Sequence, residues 1–166
     1  RFRSLFLISV LGLVDAAKFT KYISRNAAAT VPCRTFAMPW PGVVELKLVY
    51  NEGVAFGMLQ GLGMWLAPIA IAVAAFAIFF SLRNPQEPRI THITMWLLAS
   101  GAIGNVIDRI WLGKVTDMVW LRIIDFPVFN LADSAITVAG FLLAWMALKE
   151  MFVRDNKPQD DPQPDG

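Results

Sequence analysis

The chain has 166 residues, of which 56% are hydrophobic and only 17% charged, so a soluble domain of this length would lack the polar surface to cover itself. A net charge of +2 excludes a broad basic face for nucleic acid, and the apolar content excludes intrinsic disorder over the chain as a whole. One cysteine, Cys33, and one histidine, His92, exclude an internal disulfide framework and leave no zinc site of the usual ligand types.

A membrane-spanning helix needs about 20 mostly apolar residues, or about 17 at the short end. The first candidate is Phe2 to Ala17, mostly apolar but bracketed by Arg3 and Asp15. Its basic start would suit a cleaved leader, yet Asp15, Lys18 and Lys21 and three further apolar runs follow, so it reads as a retained anchor. A long loop from Lys18 to roughly Gly63 comes next. Within it Val44-Glu45-Leu46-Lys47-Leu48-Val49-Tyr50 is apolar at alternate positions, which predicts a half-buried strand in a small sheet resting on the membrane surface. Met64 to Leu82 gives 19 uncharged residues, Ile90 to Ile107 gives 18, and Ser134 to Leu148 gives 15.

The predicted fold is therefore a membrane all-α protein with a small β element: four transmembrane helices plus a short extracytoplasmic sheet and loop. The spans fall at about 2–20, 63–82, 90–109 and 133–152 in a single domain, 1–154. Residues 155–166, rich in Pro and Asp, read as a disordered cytoplasmic tail. Arg1, Arg3, Arg83, Arg89, Lys149, Arg154 and Lys157 would then lie on one side, which the positive-inside rule assigns to the cytoplasm together with both termini. Trp40, Trp65, Trp111 and Trp120 suit an interfacial aromatic belt, His92 an interfacial position, and Gly101 with Gly104 a close helix contact.

Ionisable residues near membrane depth are costly and mark function. The densest group starts inside the third run, at Gly104-Asn105-Val106-Ile107-Asp108-Arg109, where helical spacing sets Asn105 beside Asp108 and Arg109. It continues through Gly113-Lys114-Val115-Thr116-Asp117 to Phe129-Asn130-Leu131-Ala132-Asp133, with Asn130, Asp133 and Thr137 on one helical face. Taken singly, these residues have plain structural explanations. Asp108 and Arg109 read as an ion pair at the outer end of the third span, and Asp117 as a solvated loop carboxylate. Asn130 is a natural N-cap with Asp133 in the first turn, and Asp125 beside Pro127 is a turn residue. Together they permit another chemistry. Two carboxyls close together in a poorly solvated place resist double ionisation and hold one shared proton near neutral pH. Such a pair can take a proton from water and give one to a carbonyl or a leaving amine, which is peptide hydrolysis with no metal, thiol or histidine.

Three motifs in this order resemble the lipoprotein signal peptidases, the signal peptidase II family. Asn51-Glu52-Gly53-Val54-Ala55-Phe56-Gly57 is similar to that family's N-x-G-x-A-F segment. Gly104 to Arg109, running on to Gly113 and Val115-Thr116-Asp117, is similar to its G-N-x-x-D-R…G-x-V-x-D block, and Phe129 to Ser134 to its F-N-x-A-D-S block. The resemblance implies a membrane aspartyl endopeptidase without cofactor or metal. Its substrate would be a diacylglyceryl-modified bacterial prolipoprotein, cut just before the lipidated cysteine near the outer face of the inner membrane. It puts the catalytic pair on Asp117 and Asp133, with Asn105, Asp108 and Arg109 as support. Asn130 would position Asp133 or touch substrate, Ala132 stands in the same motif, and Asn51, Gly53 and Phe56 would line the substrate side. The family's D-x-x-[ST]-K at the end of the first span matches at Thr20-Lys21, but Ala17 holds the aspartate position. Asp15, two residues earlier, is spaced to pair with Lys18 instead. Membrane lipids are the other expected partners, nucleic acid is not, and the chain is expected to act as a monomer. The competing readings are a small proton-coupled carrier or channel subunit, with carboxylates facing a mid-membrane pore, and a passive membrane scaffold.

Overall fold

A computed structural model describes residues 2–29, 35–53 and 63–155. Four long helices and a three-stranded sheet alternate along the chain: α1 (Phe2–Ala29), β1 (Thr35–Trp40), β2 (Val44–Asn51), α2 (Leu66–Arg83), α3 (Arg89–Leu112), β3 (Val115–Leu121) and α4 (Leu131–Asp155). A turn of 3-10 helix, Gly63–Trp65, leads into α2 and another, Arg122–Ile124, follows β3. The predicted Cys33, Phe56 and tail beyond 155 lie outside the described residues.

Among the described residues, three segments are long and apolar enough to cross a membrane: Gly63–Arg83, Arg89–Leu112 and Leu131–Val153. Within them 61% of the α3 window is buried, against 22% for α2 and 17% for α4. α3 is thus the central helix, packed by α1, α2 and α4, and the outer faces of its neighbours are free for lipid. α1 is longer than the expected 2–20 and carries Lys18, Lys21 and Arg25 in its second half. The helix continues through them because the two inward-facing cations, Lys21 and Arg25, meet a carboxylate on α3, Asp108. One half of the bundle closes on an apolar cluster of Phe6, Val10, Ala77, Met95 and Ala99. His92, in the first turn of α3, is buried against α2, where the Ser81 hydroxyl lies 2.8 Å from its Nδ1.

Gly101 permits the α3–α4 contact. A Cβ there would stand 2.5 Å from the Ala132 carbonyl oxygen and 2.7 Å from Ile136 Cγ1, so only glycine lets the start of α4 lie this close. Gly113 ends α3 in the left-handed conformation (φ 72°), its N–H bonded to the Arg109 carbonyl. The chain then enters Val-Thr-Asp-Met-Val-Trp-Leu, a run rich in β-formers.

The sheet order is β1-β2-β3, antiparallel throughout. The predicted strand at Val44–Tyr50 is its centre, and Asp117, expected in a loop, stands on β3. β2 and β3 are in register with Val49 opposite Asp117 and Asn51 opposite Val115, which puts Asn51 diagonal to Asp117 on one face. After the 3-10 turn the chain reverses at Asp125 (φ 46°) and comes back along β3, where Phe129 and Val119 exchange backbone hydrogen bonds. That return brings the start of α4 beside Asp117.

Candidate active site

Asn130 joins the two aspartates. It is the N-cap of α4: its Oδ1 accepts the N–H groups of Ala132 (2.7 Å) and Asp133 (3.2 Å). Asp133 reaches back, its Oδ2 accepting the Asn130 backbone N–H at 3.1 Å, which completes a reciprocal capping box. With its oxygen committed to the helix, the Asn130 amide presents its NH2 outward. That group donates to Asp117 Oδ1 at 2.6 Å and to Asn105 Oδ1 at 3.2 Å. Side chain and backbone of one buried residue thus hold Asp117 and Asp133 together.

The surrounding donors come from three further elements. Asn51 at the end of β2 donates through Nδ2 to Asp117 Oδ2 (3.3 Å), and its own Oδ1 accepts the Gly53 N–H (3.0 Å). Asn105 on α3 donates to Asp133 Oδ1 at 2.7 Å. Lys21 of α1, 1% exposed, donates to Asn105 Oδ1 at 3.0 Å and to the Gly104 carbonyl at 3.2 Å, and pairs with Asp108 at 3.1 Å. Asp108 also takes Arg25 at 3.6 Å and accepts the Thr116 N–H of β3 at 2.9 Å. It is therefore the joint of α1, α3 and β3.

This corrects the expected Asp108–Arg109 pair. Adjacent helical residues diverge by about 100° and do not face each other. Asp108 turns to α1, while Arg109 turns to the β2 end and donates to the Gly53 carbonyl at 3.3 Å. The Arg109 Nε–H is buried with no hydrogen-bond partner among the described residues. Gly104 and Ala132 are packing positions at the same level: a Cβ on Gly104 would meet Cβ atoms of Ala132 (3.2 Å) and Ala17 (3.5 Å). Ala17, where the resembled motif has an aspartate, fills that contact. The spacing-based Asp15–Lys18 pair is not what Lys18 makes: its ammonium lies 5.5 Å from the Trp111 ring centroid, and Asp15 is exposed on α1. Phe56 lies outside the described residues.

Asp117, Asp133, Asn51, Asn105 and Arg109 open on one cavity of about 670 Å³. Its polar end is this cluster. The remaining walls are mostly apolar, supplied by α2 (Leu66, Ile69, Val73), α4 (Ile136, Val138) and the Phe126–Phe129 segment, with the Ser134 and Thr137 hydroxyls of α4 among them. Burial pushes the Asp117 carboxyl up to about 6, and the charge of Asp133 adds to the rise, while amide donation from Asn130 and Asn51 and the Lys21 charge oppose it. Among the described residues no group of three His, Cys, Asp or Glu is arranged to hold a metal ion.

Comparison with known proteins is consistent over nearly the whole chain. Residues 7–149 match the family model described as signal peptidase (SPase) II. The lipoprotein signal peptidase of Gloeothece citriformis (strain PCC 7424) is 37% identical over 141 residues, 85% of this chain and 86% of that protein. That of Streptococcus thermophilus (strain CNRZ 1066) is 34% identical over 143 residues, 86% of this chain and 92% of that one. Two solved structures described as bacterial membrane enzymes superimpose with TM-scores of 0.80 and 0.74, at 28% and 30% identity. They cover 95% and 88% of this chain and 94% of each matched chain.

Proposed function

The chain belongs to the signal peptidase II family, and from that premise we propose that Asp117 and Asp133 are its catalytic pair. The protein is a membrane-embedded aspartyl endopeptidase that removes signal peptides from bacterial prolipoproteins. The carrying observation is the double attachment to Asn130: amide to Asp117, backbone N–H to Asp133. Two acids held by one residue at the polar end of an apolar cavity can share a proton and address one water and one carbonyl. A pore reading asks for carboxylates within the bilayer, whereas Asp117 stands on a strand beyond the end of α3.

The finer assignment follows the cavity. Cleavage falls before the diacylglyceryl-modified cysteine, whose acyl chains suit the apolar walls while its peptide bond reaches the aspartates. Asn51 and Asn105 orient the acids, and Asp108 secures the elements that carry them. Arg109 offers its unused Nε–H to a substrate carbonyl oxygen. α1 serves as a fourth span, both termini are cytoplasmic, the sheet lies at the outer surface, and the chain acts as a monomeric domain over 1–154. The test is cleavage of a diacylglyceryl-modified prolipoprotein by Asp117→Asn and Asp133→Asn enzymes in proteoliposomes. Both are expected to be inactive while retaining the wild-type helix content, and wild-type turnover in either refutes the pair.

A further inference from the structure

Resting on that catalytic pair, we propose that Lys21 is a positioning residue that decides which acid carries the proton. By locking the Asn105 amide it makes Asp133 the carboxylate that activates water and leaves Asp117 as the acid that donates.

The geometry starts from what an ammonium can do, which is only donate. Lys21 spends its three N–H groups on the Gly104 carbonyl, Asn105 Oδ1 and Asp108 Oδ2. The oxygen of the Asn105 amide must therefore face Lys21, with Asn130 Nδ2 as a second donor to that oxygen. The nitrogen end is left pointing at Asp133 Oδ1, at 2.7 Å. A flipped amide would set oxygen against oxygen there and would call for a proton on Asp133. The other Asp133 oxygen accepts the Asn130 N–H, and the residue lies in the first turn of α4, where the helix dipole favours negative charge. Asp133 is also partly solvated, whereas Asp117 is 2% exposed and stands on a strand with no helix end to stabilise a charge. A shared proton therefore rests on Asp117. The formal charges around the pair are Lys21 and Arg25 from α1, Asp108 and Arg109 from α3, and the two acids themselves.

The hydrolysis then balances. Asp133 takes a proton from water as its oxygen bonds to the scissile carbonyl carbon, and Asp117 gives its proton to the carbonyl oxygen. As the C–N bond breaks, Asp133 passes its proton to the leaving nitrogen and a hydroxyl of the intermediate returns one to Asp117. Both acids end as they began.

The test reads pH dependence, which a merely structural lysine would not move. Wild-type kcat/KM is measured against pH with a diacylglyceryl-modified prolipoprotein, alongside Lys21→Met. Because Lys21→Met leaves Asp108 short of a partner, Lys21→Met/Asp108→Asn is measured too, since it removes the pair as a unit. Without Lys21 the Asn105 amide is free to turn its oxygen toward Asp133, which draws the shared proton there, so the alkaline limb of both variants is expected to move from its wild-type position. Their kcat should fall about 10- to 100-fold, the loss of one hydrogen bond to a charged group, with KM little changed. Infrared spectra at pH 5 with 13C-labelled aspartate should show a protonated-carboxyl band that vanishes in Asp117→Asn and persists in Asp133→Asn. An unmoved alkaline limb in both Lys21 variants, or a band that follows Asp133, overturns the inference while the pair stands. Wild-type cleavage by either single aspartate variant overturns the pair itself.

Discussion

Gly101→Ala adds one methyl group at the closest approach of α3 to α4. Its Cβ would stand 2.5 Å from the Ala132 carbonyl oxygen, 2.7 Å from Ile136 Cγ1 and 3.3 Å from the Ile136 nitrogen. Two of those atoms are backbone, so the first turn of α4 must withdraw by about half an ångström or more to restore ordinary contact. Overpacking of this kind costs about 1–3 kcal/mol, and the better helix propensity of alanine returns about 1, so the fold survives. Catalysis should suffer more than stability, because Ala132 sits between Asn130 and Asp133 and moves with them. A displacement of about 1 Å can cost about 100-fold in rate, so about half of that predicts a fall in kcat/KM of roughly tenfold or more. The assay is cleavage of a lipid-modified prolipoprotein at fixed pH, with thermal unfolding measured on the same preparation. Gly140→Ala is the control: nothing lies within 4 Å of its added Cβ, so activity should hold while stability rises by up to about 1 kcal/mol. Gly101→Ala cleaving within twofold of wild type would refute the claim that this contact sets the position of Asp133.

Four further outcomes are expected. Activity should fall about tenfold per pH unit above about 6, as Asp117, lifted by burial and the Asp133 charge, loses its proton; a kcat/KM profile checks it. The same lifted carboxyl binds its proton more tightly folded than unfolded, so it favours the fold below its ordinary pKa and loses that contribution as pH rises through about 6. The melting temperature should therefore drop between pH 5 and 7.5, and Asp117→Asn should flatten that drop. Asn130→Ala removes the helix cap, about 0.5–2 kcal/mol by thermal unfolding, and takes the side-chain amide from Asp117 while the backbone N–H to Asp133 remains, so turnover should fall at least about tenfold while the protein remains folded. Asp125→Asn should stay within twofold of wild type in the cleavage assay. Asp125 accepts Trp120 Nε1 at 3.2 Å in a left-handed turn that asparagine also tolerates.

The helices and the polar cluster were legible because hydropathy runs and misplaced carboxylates are local signals. β2 was legible by alternation, but β3 was not: Val115, Thr116, Asp117 and Met118 are all buried, so no alternation survives in the sequence. The capping role of Asn130 could be read from its spacing to Asp133, whereas its grip on Asp117 depends on the Phe129–Val119 return, a long-range pairing with no local mark. The partner of Asp108 was misread because the true one, Lys21, is 87 residues away in sequence, and neighbouring Arg109 was the nearer guess. Lys21 offered one usable clue. A lysine at the end of a first span needs an anion, and Asp108, at the outer end of the third span, was a candidate for it.

Asp108 draws together the first helix, the middle helix and the last strand, while Asp133 waits on the final helix. During synthesis the ribosome delivers those parts in order, α1 early and α4 last. On the proposed pair, a nascent copy with two or three helices inserted lacks Asp133, so cleavage waits until translation has passed the start of α4.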